Sequence, residues 1–315
     1  MSALDKRFVF VIGAPRSGTS WLHQMLAQHP AVAAMAGEEL TIFSRYVHMW
    51  VHNYEEEAKN ITTGKWRQGL PCVWDAGTFE ANMLRFVEDV YGRVLARNAQ
   101  ATHILDKHPN YSNHLPMIDR FLPQSRFIHI IRDGREVAVS MMSVRKRVGH
   151  SPGEVRGAAR EWHRCISNAR AYGAKLGPER YTEVRYEDLR ANTLDEFSRL
   201  CSFASLPAEG QVINRIVDEF HISKKQVSNG DTAMNALREK PGAIWREGMS
   251  LTERYIFDRM VGDLLHSLGY ADHDWWALSA TDRLRILPYR ALVKVKRSME
   301  SLSSIWSSEA EERLP

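Results

Sequence analysis

The stretch GAPRSGTSWLHQML, Gly13 to Leu26, is built from residue types that grip anions. Gly13 and Gly18 let a backbone approach a ligand closely. Ser17, Thr19 and Ser20 add hydroxyl donors, and Arg16 adds a planar fork of N–H groups that suits phosphate or sulfate oxygens. Successive backbone N–H groups leading into a helix N-terminus complete an anion hole. The spacing follows the loop G-x-x-x-x-G-K-[ST] that cradles nucleoside triphosphates. Thr19, however, stands where that loop carries the lysine that reaches the β- and γ-phosphates. The loop is therefore expected to hold an anion of a different kind.

Three further places could take part in the same chemistry. In IIRDGREVAVS, Arg132 sits at the carboxyl end of an apolar run and Ser140 follows eight residues later, so the pair would hold a second anionic group apart from the first, unless Arg132 only forms a surface salt bridge with Asp133 or Glu136. A kinase would use an aspartate near here for Mg²⁺, whereas an arginine suits a phosphate. In AGEEL (36–40), Glu38 or Glu39 would reach the mouth of the loop as a general base, unless the segment is only a solvated acidic turn. In LDKHP, Lys107 would neutralise charge on a leaving group, and His108 is an alternative base; both also read as surface side chains.

The elements that must position these residues are legible in outline. Phe8–Ile12 is an unbroken apolar run, as a strand buried on both faces should be. A helix follows the loop with Trp21, Leu22, Met25 and Leu26 on one side and stops before Pro30. Residues 102–109 read as a strand ending in Asp106 and Lys107. Residues 126–142 read as a second strand–turn–helix unit in which Asp133 and Glu136 have capping-box spacing. RYTEVRYEDL (180–189) is a further strand leading into a turn, and residues 190–270 are mainly helical. Strands alternating with helices imply an α/β fold with a central parallel sheet flanked by helices. An aromatic-rich helical insert at 40–100 reads either as core or as the lining or cover of an acceptor site.

Composition bounds the rest. A chain of 315 residues with 44% hydrophobic and 25% charged residues is ordinary globular protein, and one domain over 1–275 accommodates the motifs. A net charge of +4 fits an anionic ligand and is too mild to indicate nucleic acid. Three widely spaced cysteines form neither a metal motif nor a disulfide framework, and no signal peptide or long apolar span is present; a cytoplasmic protein is expected. The tail 276–315 is basic and amphipathic, with six basic and no acidic residues from Arg283 to Arg297. It suits packing on the domain, a homodimer contact or peripheral attachment to an anionic membrane.

Taken in order, PRSGTS, HP, GEE, KHP, RDGR and YE resemble the motif series of the sulfotransferases that use 3′-phosphoadenosine 5′-phosphosulfate (PAPS), nearest to the tyrosylprotein and carbohydrate branch. The resemblance covers roughly residues 8 to 270 and implies a P-loop-type three-layer fold. It also answers the missing lysine, since this donor has one phosphate–sulfate anhydride at its 5′ end and a separate 3′-phosphate. By this resemblance Arg16, Ser17, Gly18, Thr19 and Ser20 hold the 5′-phosphosulfate, and Arg132 and Ser140 hold the 3′-phosphate. Tyr186 and Ser223 contact the nucleotide. Glu39 is the base, with Glu38 one residue away as the alternative, and Arg16 and Lys107 stabilise charge on the leaving phosphate. The product is adenosine 3′,5′-bisphosphate (PAP), the acceptor is a sugar, glycolipid, phenolic or tyrosyl hydroxyl, and no metal is expected. A P-loop small-molecule kinase and a non-catalytic nucleotide-binding protein are the rival readings.

Overall fold

Phe8–Ile12 (β1) lies at the middle of the sheet, and all five residues are buried, as their apolar run requires. The computed structural model describes residues 8–35, 39–148, 152–207, 209–220, 244–289 and 291. After β1 come α1 (Thr19–Ala27), β2 (Val32–Ala34), a π-helical turn (Ile42–Val47) running into α2 (His48–Thr62), and α3 (Ala76–Leu95). Next are β3 (His103–Lys107), a 3₁₀ turn (Pro109–Asn113), α4 (Leu115–Phe121), β4 (Arg126–Ile131), α5 (Gly134–Val148), α6 (Val155–Leu176) and β5 (Tyr181–Arg185). The described chain closes with α7 (Tyr186–Ala191), α8 (Thr193–Phe203), α9 (Gly210–Phe220), α10 (Ile244–Gly248), α11 (Leu251–Ser267) and α12 (Ala280–Arg285).

The five strands are parallel, in the order β2-β3-β1-β4-β5. The chain fills one side of β1 first and then crosses it to add β4 and β5. This reversal opens a crevice at the carboxyl ends of β1 and β4, the place where open α/β sheets bind ligands. Alternation along the strands divides the core. Val9, Val11, Ile128, Ile130 and Val184 meet Trp21, Leu22, Leu189 and Phe197 on one face. Phe8, Phe10, Ile12 and Phe127 meet Phe43, Phe79 and Tyr91 on the other. A third cluster joins α5, α6, α10 and α11 around Trp162, Trp245 and Phe257.

The α/β three-layer architecture is the one the sequence implies, with three local differences. First, Asp133 and Glu136 do not form a capping box. Asp133 Oδ1 accepts from the Arg135 backbone N–H (2.9 Å), and the Glu136 carboxylate turns away to the Trp245 backbone N–H (3.4 Å) and Arg132. A nearby cation and an open helix N-terminus on another element outcompete the local motif. Second, the turn expected after β5 is the helix α7, which begins at Tyr186 itself. Third, β2 adds a short edge strand that the alanine-rich sequence around it conceals.

Candidate active site

Register brings the site together. Val11 pairs with Lys107, Ile12 with His129, and Ile131 with Arg185, so the loop after β1, Lys107, Arg132 and Tyr186 all emerge at one sheet edge.

The loop is held tightly from below. The Gly13 N–H donates to Ser112 Oγ (2.9 Å), and a Cβ at Gly13 would fall 2.5 Å from the Ile130 carbonyl. Arg16 adopts a left-handed φ of 72°, unusual for a side-chain-bearing residue. Gly18 has φ 98°, and a Cβ there would lie 2.6 Å from the Tyr186 ring, so that ring is the wall of the loop. No side chain caps the α1 N-terminus, and the buried Ser17 Oγ has no hydrogen-bond partner. Free N–H groups and an orphaned hydroxyl in one cradle are what an anion would satisfy.

The second basic motif touches the first. Arg132 is 5% exposed, its guanidinium lies 4.5 Å above the Tyr186 ring, and Nη1 donates to the Arg16 carbonyl (3.2 Å). Arg16 Nε in turn donates to Ser140 Oγ (3.0 Å), across 124 residues of sequence. The turn carrying Arg132 is fixed from three sides. Trp162 Nε1 donates to the Arg132 carbonyl (3.1 Å). The Asp133 N–H donates to Glu187 Oε1 (3.1 Å), while the Tyr270 hydroxyl donates to Glu187 Oε2 (2.8 Å). Arg135 pairs with Asp133 and stacks on Trp245 and Trp275, binding the turn to α10 and to the segment after α11.

Beside the loop lies an acid–base cluster. Lys107 Nζ donates to Ser20 Oγ (3.2 Å) and forms an ion pair with Glu39 Oε1. His108 Nε2 lies 3.4 Å from Glu39 Oε2, and His108 Nδ1 lies 3.2 Å from Ser44 Oγ. Burial, with Lys107 and Arg45 nearby, holds the His108 imidazole below its ordinary pKa despite the Glu39 carboxylate. The end of β3 is anchored by Asp106. Its Oδ1 accepts from the Lys107 N–H (2.8 Å), and Oδ2 accepts from the hydroxyls of Tyr91 (2.5 Å) and Tyr111 (3.0 Å). Burial pushes the Asp106 carboxyl above its usual range, against those hydrogen bonds.

The structure thus places Arg16, Ser17, Gly18, Thr19, Ser20, Glu39, Lys107, Arg132, Ser140 and Tyr186 around one crevice. Glu38 and Ser223 lie outside the described residues. Four supporting residues escaped sequence reasoning: Ser44, Ser112, Trp162 and Glu187. Only Glu187 carried a signal, as the second residue of the YE pair. Of the aromatic insert, Phe43, Tyr54, Phe79 and Tyr91 are core, while Tyr46, Trp50 and Trp66 are exposed. Among the described residues no group of three or more His, Cys, Asp or Glu side chains is arranged to hold a metal ion, and no helix is long and apolar enough to cross a membrane.

Comparison with known proteins follows the same lines. A family model described as "Sulfotransferase family" matches residues 9–210. A putative protein-tyrosine sulfotransferase of Caenorhabditis briggsae is 24% identical over 84% of this chain and 89% of its own length. Protein-tyrosine sulfotransferase 1 of Danio rerio is 24% identical over 67% of this chain and 56% of its own. For several other curated relatives the chain spans about half their length or less, from 31% to 52%. Mouse sulfotransferase SULT7A1, solved in complex with PAP, shares the fold with a TM-score of 0.52 and 12% identity, over 84% of this chain and 87% of that one. With a family match running from β1 to the start of α9, the chain belongs to the sulfotransferase family.

Proposed function

We propose that this chain moves the sulfuryl group of PAPS to an acceptor hydroxyl. The observation that carries this reading is the junction of the two basic motifs, where Arg16 bonds Ser140 and Arg132 bonds the Arg16 carbonyl. A donor with anionic groups on the 5′ and 3′ oxygens of one ribose needs two such sites side by side, a sugar ring apart. The residues fit it: the loop has an uncapped helix N-terminus and the orphaned Ser17 hydroxyl, and Arg132 lies flat on Tyr186 at the crevice wall.

The donor, when bound, supplies a sulfuryl group joined through an anhydride oxygen to the 5′-phosphate. The loop N–H groups and the hydroxyls of Ser17, Thr19 and Ser20 hold that end, and Arg132 with Ser140 holds the 3′-phosphate. Glu39 takes the proton of the acceptor hydroxyl as the new O–S bond forms and the anhydride O–S bond breaks. His108 and Lys107, each bound to one Glu39 oxygen, fix the carboxylate. Lys107 also touches Ser20, so its charge lies between base and loop, where negative charge grows on the leaving phosphate. Positioning and electrostatics carry most of the rate in such loose, in-line transfers. The names of the curated relatives favour a phenolic, tyrosyl acceptor; a sugar or glycolipid hydroxyl is the other class the chemistry admits.

The test is thermal stability with adenosine 3′,5′-bisphosphate, AMP and ATP–Mg²⁺. A ligand at about 100 times its Kd adds roughly 2.7 kcal/mol, a shift of several degrees for a domain this large. Strong stabilisation by the bisphosphate alone is expected. Stabilisation by ATP–Mg²⁺ without the bisphosphate would hand the site to a kinase.

A further inference from the structure

Glu136 is a buried charge that the reaction above does not use. It lies in the first turn of α5 and is 2% exposed. Its Oε1 accepts from the Trp245 N–H (3.4 Å). Its Oε2 has no hydrogen-bond partner and lies 3.6 Å from Arg132 Nη2. Among the described residues, the groups that face it are Arg132 and Asp133 from the β4–α5 turn and the backbone N–H groups of Ile244 and Trp245 from α10. Asp133 is already matched by Arg135. Arg132 therefore compensates Glu136.

We propose that Glu136 is a positioning residue for Arg132 and takes up a proton when a phosphate occupies that arginine. The proposal rests on the reading that Arg132 holds the 3′-phosphate. A phosphate on Arg132 brings a second negative charge beside a buried carboxylate whose outer oxygen has no donor, and like charges this close do not both persist away from water. A solvent proton on Oε2, forming one O–H bond, removes the conflict and turns Oε2 into a donor. Burial already holds this carboxyl above its ordinary range, ahead of the opposing pull of Arg132. Capture of a 3′-phosphorylated nucleotide is then proton-linked, and capture of a 5′-monophosphate is not.

The experiment is calorimetric titration of the full chain with adenosine 3′,5′-bisphosphate and with AMP, between about pH 7 and about pH 8.5. In this range both phosphates are mostly dianions, since their second pKa is about 6. Two buffers of different ionisation enthalpy report the protons exchanged. The wild type is expected to take up a proton with the bisphosphate and to lose up to about tenfold in affinity per pH unit. AMP should show neither effect. Glu136→Gln, neutral and of the same shape, should abolish the uptake, flatten the pH profile and bind the bisphosphate more tightly at the alkaline end. Glu136→Asp keeps a carboxyl and should keep the uptake, which separates titration from lost packing. Tight bisphosphate binding by the wild type without proton uptake, or the same uptake in Glu136→Gln, overturns the proposal. If Arg132→Ala leaves bisphosphate and AMP binding alike and unchanged, the 3′-phosphate assignment beneath it falls as well.

Discussion

Glu39 lies against a lysine on one oxygen and a histidine on the other, an arrangement that orients the carboxylate. Glu39→Gln keeps the shape and removes the proposed base. Turnover is expected to fall by about 10²–10⁴, with bisphosphate affinity unchanged, in a steady-state assay paired with a binding titration. Arg132→Ala should act in the opposite sense. On the proposed assignment it loses a charge-assisted contact of about 1.5–3 kcal/mol to the 3′-phosphate, weakening bisphosphate binding while AMP binding barely moves. Arg16, Arg132 and Ser140 were legible because each belongs to a spaced motif whose backbone setting follows from the flanking residues. Ser112 and Ser44 were not, since a lone serine is brought to its target only by tertiary contacts. Glu136 shows the reverse case: a local capping pattern, correct in spacing, loses to a buried arginine.

At the scale of elements, β5 closes the sheet through a network of charges. Glu183 on this strand accepts from Arg170 Nη2 (2.9 Å) and from the Tyr181 hydroxyl (2.8 Å), and Tyr181 lies 2.6 Å from buried His129 Nδ1. Burial alone would raise the Glu183 carboxyl, but the neighbouring His129 and hydrogen bonds from Arg170 and Tyr181 outweigh it and hold the group well below the usual range. A depressed folded-state pKa means that this stability is fully present above the unfolded pKa of about 4.3 and is lost as pH falls below it. Glu183→Gln should therefore lower the denaturation midpoint at neutral pH and narrow the gap from wild type in acid, as urea titrations at a series of pH values would show. The sequence disclosed β1 and β4 because their apolar runs of strand length stand out, and β3 and β5 because short stretches around Ile104–Leu105 and Tyr181–Val184 favour strand. It hid β2, whose three residues carry no period long enough to read, and α7, whose YEDL start resembles a turn.

At the scale of the molecule, the described residues after α11 are fastened to the domain. Arg254 on α11 donates to the Trp276 carbonyl (3.0 Å) and pairs with Asp282 on α12 (3.3 Å), with both side chains buried. Asp282→Ala strands that arginine and should cost about 3–5 kcal/mol, read as a lower urea midpoint with an unchanged denaturant slope. The fold as a whole sets the two anion motifs on different strands, with the loop after β1 and Arg132 after β4. In the proposed reaction only the group at the first motif changes, since the 3′-phosphate leaves as it arrived. Contacts at Arg132 thus bind donor, transition state and product alike, and such uniform binding does nothing for the chemical step. It does slow the departure of the spent nucleotide. Where that departure limits the cycle, a weaker grip at Arg132 makes each turnover faster at saturating donor, and the accumulated product becomes the enzyme's own brake.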